Sequence, residues 1–372
     1  MNIELLTEDR EDEYNHFLLK SKDSFLLNTL KYRDLLEWIT KAKSMYLVAL
    51  ENNEIIGALP TFLKENKKFG NVLNSLPWYG SNPGIIIDPS IKNKDSVKHN
   101  LFNVFKYLAQ DNKCVTSTMI SRPFENIWNM FKYYNFRFLD SRAGMFTDLP
   151  VGSNKIEDDL MEIYHSKTRN LVRKAMKNDI VITHSAEKIN IEFLADLHKR
   201  NMEAVNAPPK GLDFFNKISE IFSYDQDYRI YIARKDGVNI GALLVLYFNN
   251  TVEYYTPAVE VDYRTYQPLN LLIFEAMKDM TKMGYTYWNW GGTIPETMAG
   301  VYHFKKRWGS RESTYYYFIN SYNDEKLEKI LGQNKNTIIE EYPHFYVVPF
   351  DNLKGGNHDQ RRITFFDNQK RS

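Results

Sequence analysis

The sequence predicts an α/β (α+β) chain of two tandem domains of one architecture, each a mixed, mostly antiparallel sheet flanked by helices, with a cleft between them. The first observation is a repeated hairpin. Tyr46-Leu-Val-Ala-Leu-Glu-Asn-Asn-Glu-Ile-Ile-Gly57-Ala-Leu-Pro reads as strand, polar turn and second strand, and Tyr231-Ile-Ala-Arg-Lys-Asp-Gly237-Val-Asn-Ile-Gly241-Ala-Leu-Leu reads the same way. Asn52-Asn53 and Asp236-Gly237 suit tight turns, because Asn, Asp and Gly tolerate positive φ. The second observation is a helix and strand placed alike after each hairpin. An apolar helix, Leu101-Phe-Asn-Val-Phe-Lys-Tyr-Leu in one half and Leu271-Leu-Ile-Phe-Glu-Ala-Met-Lys in the other, leads into strand candidates at 115–121 and 285–290. The third is the spacing: a period of about 180 residues is far beyond that of solenoid repeats, so it marks duplicated domains. A cleft between two such domains is the natural place for a ligand.

Composition agrees with two soluble cores. The chain has 372 residues, 43% hydrophobic and 26% charged, enough for two ordinary domains. Its 48 Lys and Arg against 47 Asp and Glu leave a net charge of +1, so no global field draws it to nucleic acid or membrane and any polyanion site is local. The acidic amino terminus has no apolar core of the signal-peptide kind, and the longest apolar runs, such as 240–248, fall short of a membrane span. The expected compartment is the cytoplasm. The single cysteine, Cys114, excludes an internal disulfide and a multi-cysteine metal site, and no histidine spacing suggests a metal. No GxSxG, GxxxxGK[ST] or GxGxxG motif is present, which disfavours hydrolase, phosphate-loop and dinucleotide chemistry.

Two segments carry candidate chemistry. In Tyr164-His-Ser-Lys-Thr-Arg-Asn-Leu-Val-Arg-Lys-Ala-Met-Lys177, five cations including Lys167, Arg169 and Arg173 fall on one arc of a helix, without an acid, and Leu171, Val172 and Ala175 fall opposite. The arc reads either as a solvated face or as a site for phosphates. Further on, 285–290 reads as a strand, Gly291-Gly292 as a sharp exit, and Pro295-Glu296 as the start of a short helix carrying Tyr302, Phe304, Lys305, Lys306 and Arg307. Strand sequence resumes at 313–320.

The order strand, Asn289-Trp-Gly-Gly-Thr, short helix and Phe304-Lys-Lys-Arg-Trp-Gly resembles the carboxy-terminal signature of the Fem family, aminoacyltransferases that build peptidoglycan cross-bridges, and is similar to related acyltransferases with tandem GNAT-like domains. The basic helix before 178–182 and the loop Ser75-Leu-Pro-Trp-Tyr-Gly80 resemble further parts of that family. The likeness spans roughly 24–320. No counterpart of the long helical arm of some Fem members is present, so the closer likeness is to compact members.

The resemblance implies an N-terminal GNAT-like acceptor-recognition domain at 1–150, a C-terminal GNAT-like domain for donor binding and catalysis at 151–325, and an extension at 326–372 ending in a polar basic tail. It implies acyl transfer from an activated donor, aminoacyl-tRNA or acyl-CoA, to an amino group of a cell-envelope precursor such as a peptidoglycan or amino-sugar intermediate. No tightly bound cofactor and no metal is expected; a tRNA acceptor stem is a candidate partner. Lys305 would stabilise the oxyanion, with Phe304, Lys306 and Arg307 at the donor end. Glu253, where GNAT enzymes often keep a base, and Tyr255, on the same face by period two, complete the catalytic set; a surface carboxylate is the plainer reading of Glu253. In place of the glycine-rich phosphate turn of GNAT enzymes stands Tyr263-Arg-Thr-Tyr-Gln-Pro-Leu-Asn270, so Arg264, Tyr266, Gln267 and Asn270 are the donor-binding candidates, with Pro268 suited to a helix start. Acceptor binding would fall to Trp78, Tyr79, Arg122, Lys167, Arg169, Arg173, Asn289, Gly291, Gly292 and Tyr302. The competing expectation is a non-catalytic protein that binds a nucleotide-linked envelope precursor. The donor, the acceptor and the oligomeric state stay open.

Overall fold

The computed structural model describes residues 1–77, 84–125 and 135–356. The chain forms two compact units: Met1–Ser21, Leu36–Ser141 and Tyr315–Ser372 make the first, and Lys22–Leu35 with Arg142–Thr314 the second. The units are thus not consecutive segments. Residues 22–35 join the second unit, and 326–356 belong to the first. Packing explains the latter: within the first unit Tyr342 donates to the carbonyl of Gly70 at 2.7 Å, and Lys68 pairs with Glu341 at 2.6 Å.

The first unit holds the first hairpin. Leu47–Glu51 and Glu54–Leu59 pair antiparallel through a turn in which Asn52 and Asn53 both take positive φ, 51° and 65°, the geometry that lets hairpin twist match strand twist. Asn2–Leu5 and Ile86–Ile87 flank it, giving a four-stranded sheet. A further ladder in this unit runs from 315–321 through Cys114–Ile120 and Asn71–Asn74 to Phe62–Lys64 and Lys43–Ser44. Helix Lys94–Asp111, capped by Asn93, buries Val97, Leu101, Phe102, Phe105 and Ala109 at i, i+4 and i+8 spacing against the hairpin.

The second unit repeats the plan. Tyr228–Lys235 and Val238–Phe248 form the second hairpin, with Asp236 and Gly237 at φ 49° and 80°. Val181–His184 extends it on one side and Thr251–Val259 on the other; then come Tyr287–Thr293, in parallel, and 142–148. Helix Pro268–Lys282 starts with Pro268 in its first turn, where the missing N–H costs nothing. It packs with the basic helix Ser166–Met176 and with Tyr231, Leu243, Val252, Trp288, Trp290 and Trp308 in one core.

The repeat extends to irregularities. Each hairpin has a bulge at the same step, between Ala49 and Leu50 and between Ala233 and Arg234, so Ala49 faces Gly57 and Ala233 faces Gly241. Both glycines admit the next helix in the chain. A Cβ on Gly57 would lie 2.8 Å from Val97, and one on Gly241 3.2 Å from Leu272. Mixed sheets flanked by helices, twice over, are the tandem fold the sequence predicts.

Candidate active site

The site lies in the second unit, where two neighbouring strands part. Thr251–Val259 pairs in parallel with Tyr287–Thr293 only at Thr251↔Tyr287, Val252↔Trp288 and Glu253↔Asn289. On its other edge the antiparallel ladder shifts register between Leu244 and Val245, leaving Tyr255 unpaired as a bulge. A bulge bends its strand, and here it falls immediately past the last parallel pair. Tyr287–Thr293 bends too: its register against 142–148 breaks between Asn289 and Gly292, and Gly291 takes φ 70°.

Glu253 is not the surface carboxylate that a strand position suggests. It is 7% exposed, and burial pushes its carboxyl up to about 8, partly offset by Asn289. Asn289 Nδ2 donates to Glu253 Oε2 at 2.8 Å, the backbone N–H of Gly291 donates to Asn289 Oδ1 at 2.9 Å, and Lys305 Nζ donates to the Gly292 carbonyl at 3.1 Å. Oε1 of Glu253 is buried without a hydrogen-bond partner. Lys305, from helix Ala299–Lys306, is also buried, and desolvation brings its ammonium down to about 8. A carboxylate and a lysine, both near the midpoint of their titrations at mildly alkaline pH, are therefore joined through Asn289 and the Gly-Gly exit. Perturbed titrations of this kind mark candidate catalytic groups.

Tyr255 stacks on Phe214 at 6.2 Å and 6°, and its hydroxyl lies 3.4 Å from that of Tyr32. Lys210 Nζ donates to Thr256 Oγ1 at 2.8 Å and sits 4.6 Å above the Tyr255 ring; burial lowers its ammonium to about 8. His198, nearby, is pulled down to about 4 by burial and by Lys210.

Beyond the bulge, a cavity of ≈ 500 Å³ is lined by Pro257, Ala258 and Val259, by Arg264 and the helix start from Gln267 to Asn270, by Thr168 and Leu171 of the basic helix, and by Asn201, Phe304, Arg307 and Trp308. Its walls are mostly apolar, with Arg264 and Arg307 as the cations among them. Gln267 takes a left-handed φ of 64°, and no side chain caps the helix it precedes, so the helix N-terminus presents a partial positive charge.

The expected residues distribute unevenly over this geometry. Arg264, Gln267, Asn270, Phe304 and Arg307 line the cavity; exposed Tyr266 and Lys306 do not. Asn289, Gly291 and Gly292 form the bridge from Glu253 to Lys305, whereas Tyr302 donates instead to Glu312 at 3.0 Å. On the basic helix, Thr168, Val172 and Ala175 are the buried residues; Leu171, expected among them, is 36% exposed and faces the cavity. Lys167 and Arg173 are exposed, and Arg169 donates to the Tyr164 carbonyl at 2.7 Å, closing the end of the preceding helix. Arg122 lies in the first unit, and Trp78 and Tyr79 fall outside the described residues. Sequence reasoning missed Asn201, Lys210 and Tyr32, whose relation to the site depends on packing between distant segments. Among the described residues no group of side chains suited to a metal occurs, and no helix is long and apolar enough to cross a membrane.

Comparison with known proteins fits this geometry. Residues 166–306 match the acetyltransferase (GNAT) domain family. The second unit thus carries a GNAT acyltransferase domain. No curated protein sequence matches it. Among solved structures, FemX superposes with a TM-score of 0.73 at 14% identity, covering 89% of this chain and 100% of FemX. The structure of L-PGS from Bacillus licheniformis gives 0.52 at 9% identity, covering 86% and 94%. The C-terminal domain of a putative lysylphosphatidylglycerol synthetase from Agrobacterium fabrum gives 0.52 at 9%, covering 89% and 96%. At such identities the likeness is one of fold. The acyltransferase is thus built on the Fem-type tandem plan.

Proposed function

We propose that this acyltransferase moves an acyl or aminoacyl group from an activated ester or thioester, aminoacyl-tRNA or acyl-CoA, to an amino group of a cell-envelope precursor such as a peptidoglycan or amino-sugar intermediate. The observation that carries the reading is the pair of buried groups, Glu253 and Lys305, tied together through Asn289 and Gly291-Gly292 where two strands part. Amide formation needs a deprotonated amine and a stabilised oxyanion. In this reading ionised Glu253, through its unpartnered Oε1, takes the proton of the incoming ammonium. Cationic Lys305 faces the oxygen on which negative charge builds as the amine attacks; collapse of the tetrahedral adduct then breaks the ester or thioester bond, and the departing hydroxyl or thiol carries away the second proton of the former amine. The donor's acyl end reaches the parted strands from the cavity, and its anionic groups lie at Arg264, Arg307 and the N-terminus of helix Pro268–Lys282. Water exclusion from an apolar cavity strengthens both electrostatic contacts. The likeness to FemX supports an envelope precursor as acceptor, and the compartment proposed is the cytoplasm, where both kinds of donor are made.

The test is a transfer assay in which acetyl-CoA and labelled aminoacyl-tRNA are each offered with a UDP-linked amino-sugar peptide, and amide product is followed by mass spectrometry. Product that forms with the wild type and is lost in both Glu253→Gln and Lys305→Met supports the reading. Transfer that survives both substitutions would move the chemistry elsewhere.

A further inference from the structure

The edge of Thr251–Val259 that faces the cavity has no strand partner past Glu253. The backbone N–H of Glu260 donates to the Ile240 carbonyl at 3.0 Å, and antiparallel pairing alternates, so Ala258 and Thr256, opposite Ala242 and Leu244, also turn their backbone groups toward Val238–Phe248. Pro257 and Val259 therefore turn theirs to the other edge, where both residues line the cavity. Such a free edge is a docking rail for any extended ligand bearing amides, which would join as an added strand. Here it is blunted twice. Pro257 has no N–H to give. At Val259, Asn201 from helix Lys188–Glu203 donates Nδ2–H to the carbonyl at 3.0 Å and accepts the N–H on Oδ1 at 2.9 Å. One side-chain amide thus makes both bonds that a neighbouring strand, or a ligand amide, would make.

We infer that Asn201 and Pro257 are specificity residues of the donor site, denying it to an arm that binds as an added strand. The donor they select carries its acyl group on an arm without paired amides, as an ester of a sugar hydroxyl does; the pantetheine arm of coenzyme A, with two amides in an extended chain, is the kind they select against. The inference rests on the cavity being the donor site. It concerns only the arm, and the chemistry assigned to Glu253 and Lys305 is independent of it.

Calorimetric titration with coenzyme A tests the idea without an acceptor. The wild type is expected to bind only weakly, at millimolar concentration. Asn201→Ala, which frees the Val259 amide, and Pro257→Ala, which restores an N–H, are each expected to tighten binding about tenfold, the worth of one good hydrogen bond, with the double variant tighter still. Asn201→Asp keeps the acceptor for the Val259 N–H and loses the donor, so an intermediate gain is expected; it and Pro257→Ala stand in if Asn201→Ala melts early. Micromolar binding by the wild type, or equal or weaker binding by the folded variants, overturns the inference. If that happens while Glu253→Gln and Lys305→Met abolish transfer, the function stands and only the role of Asn201 and Pro257 falls. If those two variants are fully active, the reading of the site falls whichever way coenzyme A binds.

Discussion

In the second unit, the strand after the hairpin runs for nine residues, Thr251–Val259, pairs with the hairpin along its length, and then loses its parallel partner past Glu253. In the first unit, the strand in the same place before the helix is Ile86–Ile87, joined to the hairpin only at Gly57↔Ile87 and Ala58↔Ile86. The parallel neighbour of Cys114–Ile120 there is Asn71–Asn74 instead. Hairpin, bulge, glycine and helix are common to both units; the parted strands with a buried carboxylate and lysine belong to the second. The shared parts are those that make a core. The difference is one strand long enough to be half-paired, which exposes backbone and aligns Glu253 with Asn289. A duplicated frame thus serves two ends, and function is read from the site rather than from the frame.

The largest effect expected from breaking the difference is at Glu253. Glu253→Gln keeps the bond geometry with Asn289 and removes the proposed base, so kcat for transfer should fall by about 10²–10⁴. Lys305→Met removes one cation facing the oxyanion and should cost about 10²–10³ in kcat. A single-turnover assay separates these losses from donor binding. Either variant retaining wild-type kcat would make the two units equivalent in chemistry and end the comparison.

The same two groups set the pH dependence. On the proposed roles, transfer needs Glu253 ionised, which favours pH above about 8, and Lys305 protonated, which favours pH below about 8. The rate should follow a bell centred near pH 8, with at most about a quarter of the protein in the productive form if the groups titrate independently. Lys305→Met should lose the alkaline limb, and the residual rate of Glu253→Gln should lose the acid limb. A flat profile between pH 6 and 10 contradicts both roles.

Stability gives a readout apart from activity. The carboxyl of Glu253 is raised in the folded state, so the fold favours its neutral form. That contribution is full below about 4.5, the ordinary value, and is lost as pH rises through about 8. By linkage the loss amounts to roughly 5 kcal/mol at most, one pKa unit being about 1.4 kcal/mol. Glu253→Gln should therefore melt near the wild type at pH 5 and clearly above it at pH 9. A buried carboxylate left ionised at no cost would give equal melting temperatures at both.

Much of this was legible in the sequence, and the reason is locality. Turn chemistry at Asn52-Asn53 and Asp236-Gly237, Pro268 at a helix start, and the Gly291-Gly292 exit act within a few residues, so the residues announce them. The bulge at Tyr255 depends on pairing with another strand, and the burial of Glu253 on what covers it; neither leaves a mark at Glu253 itself. Asn201 meets Val259 across 58 residues, and an asparagine in the last turn of a helix looks like any solvated one until the strand edge beside it is seen. The compact units cut across consecutive segments for the same reason, since 22–35 and 315–356 take their units by packing.

The smallest effects test the shared frame. Gly57 and Gly241 occupy the same place in the two hairpins, yet the space above them differs. A Cβ on Gly57 would meet Val97 at 2.8 Å and Leu101 at 3.3 Å, and one on Gly241 would meet Leu272 at 3.2 Å and the Ala258 carbonyl at 3.3 Å. Overpacking of this kind costs about 1–3 kcal/mol, and the closer contact is with a stiff β-branched side chain. Gly57→Ala should therefore lie near the upper end of that range and Gly241→Ala near the lower, as read from chemical denaturation. The consequences for transfer should run the other way. Gly241→Ala presses on the helix whose N-terminus lines the cavity and on Ala258 beside it, so it should weaken donor binding; Gly57→Ala should leave the KM for donor unchanged in whatever protein remains folded. Equal effects of both on KM would mean that the first unit helps to form the donor site, and the division of labour between the two copies would have to be redrawn.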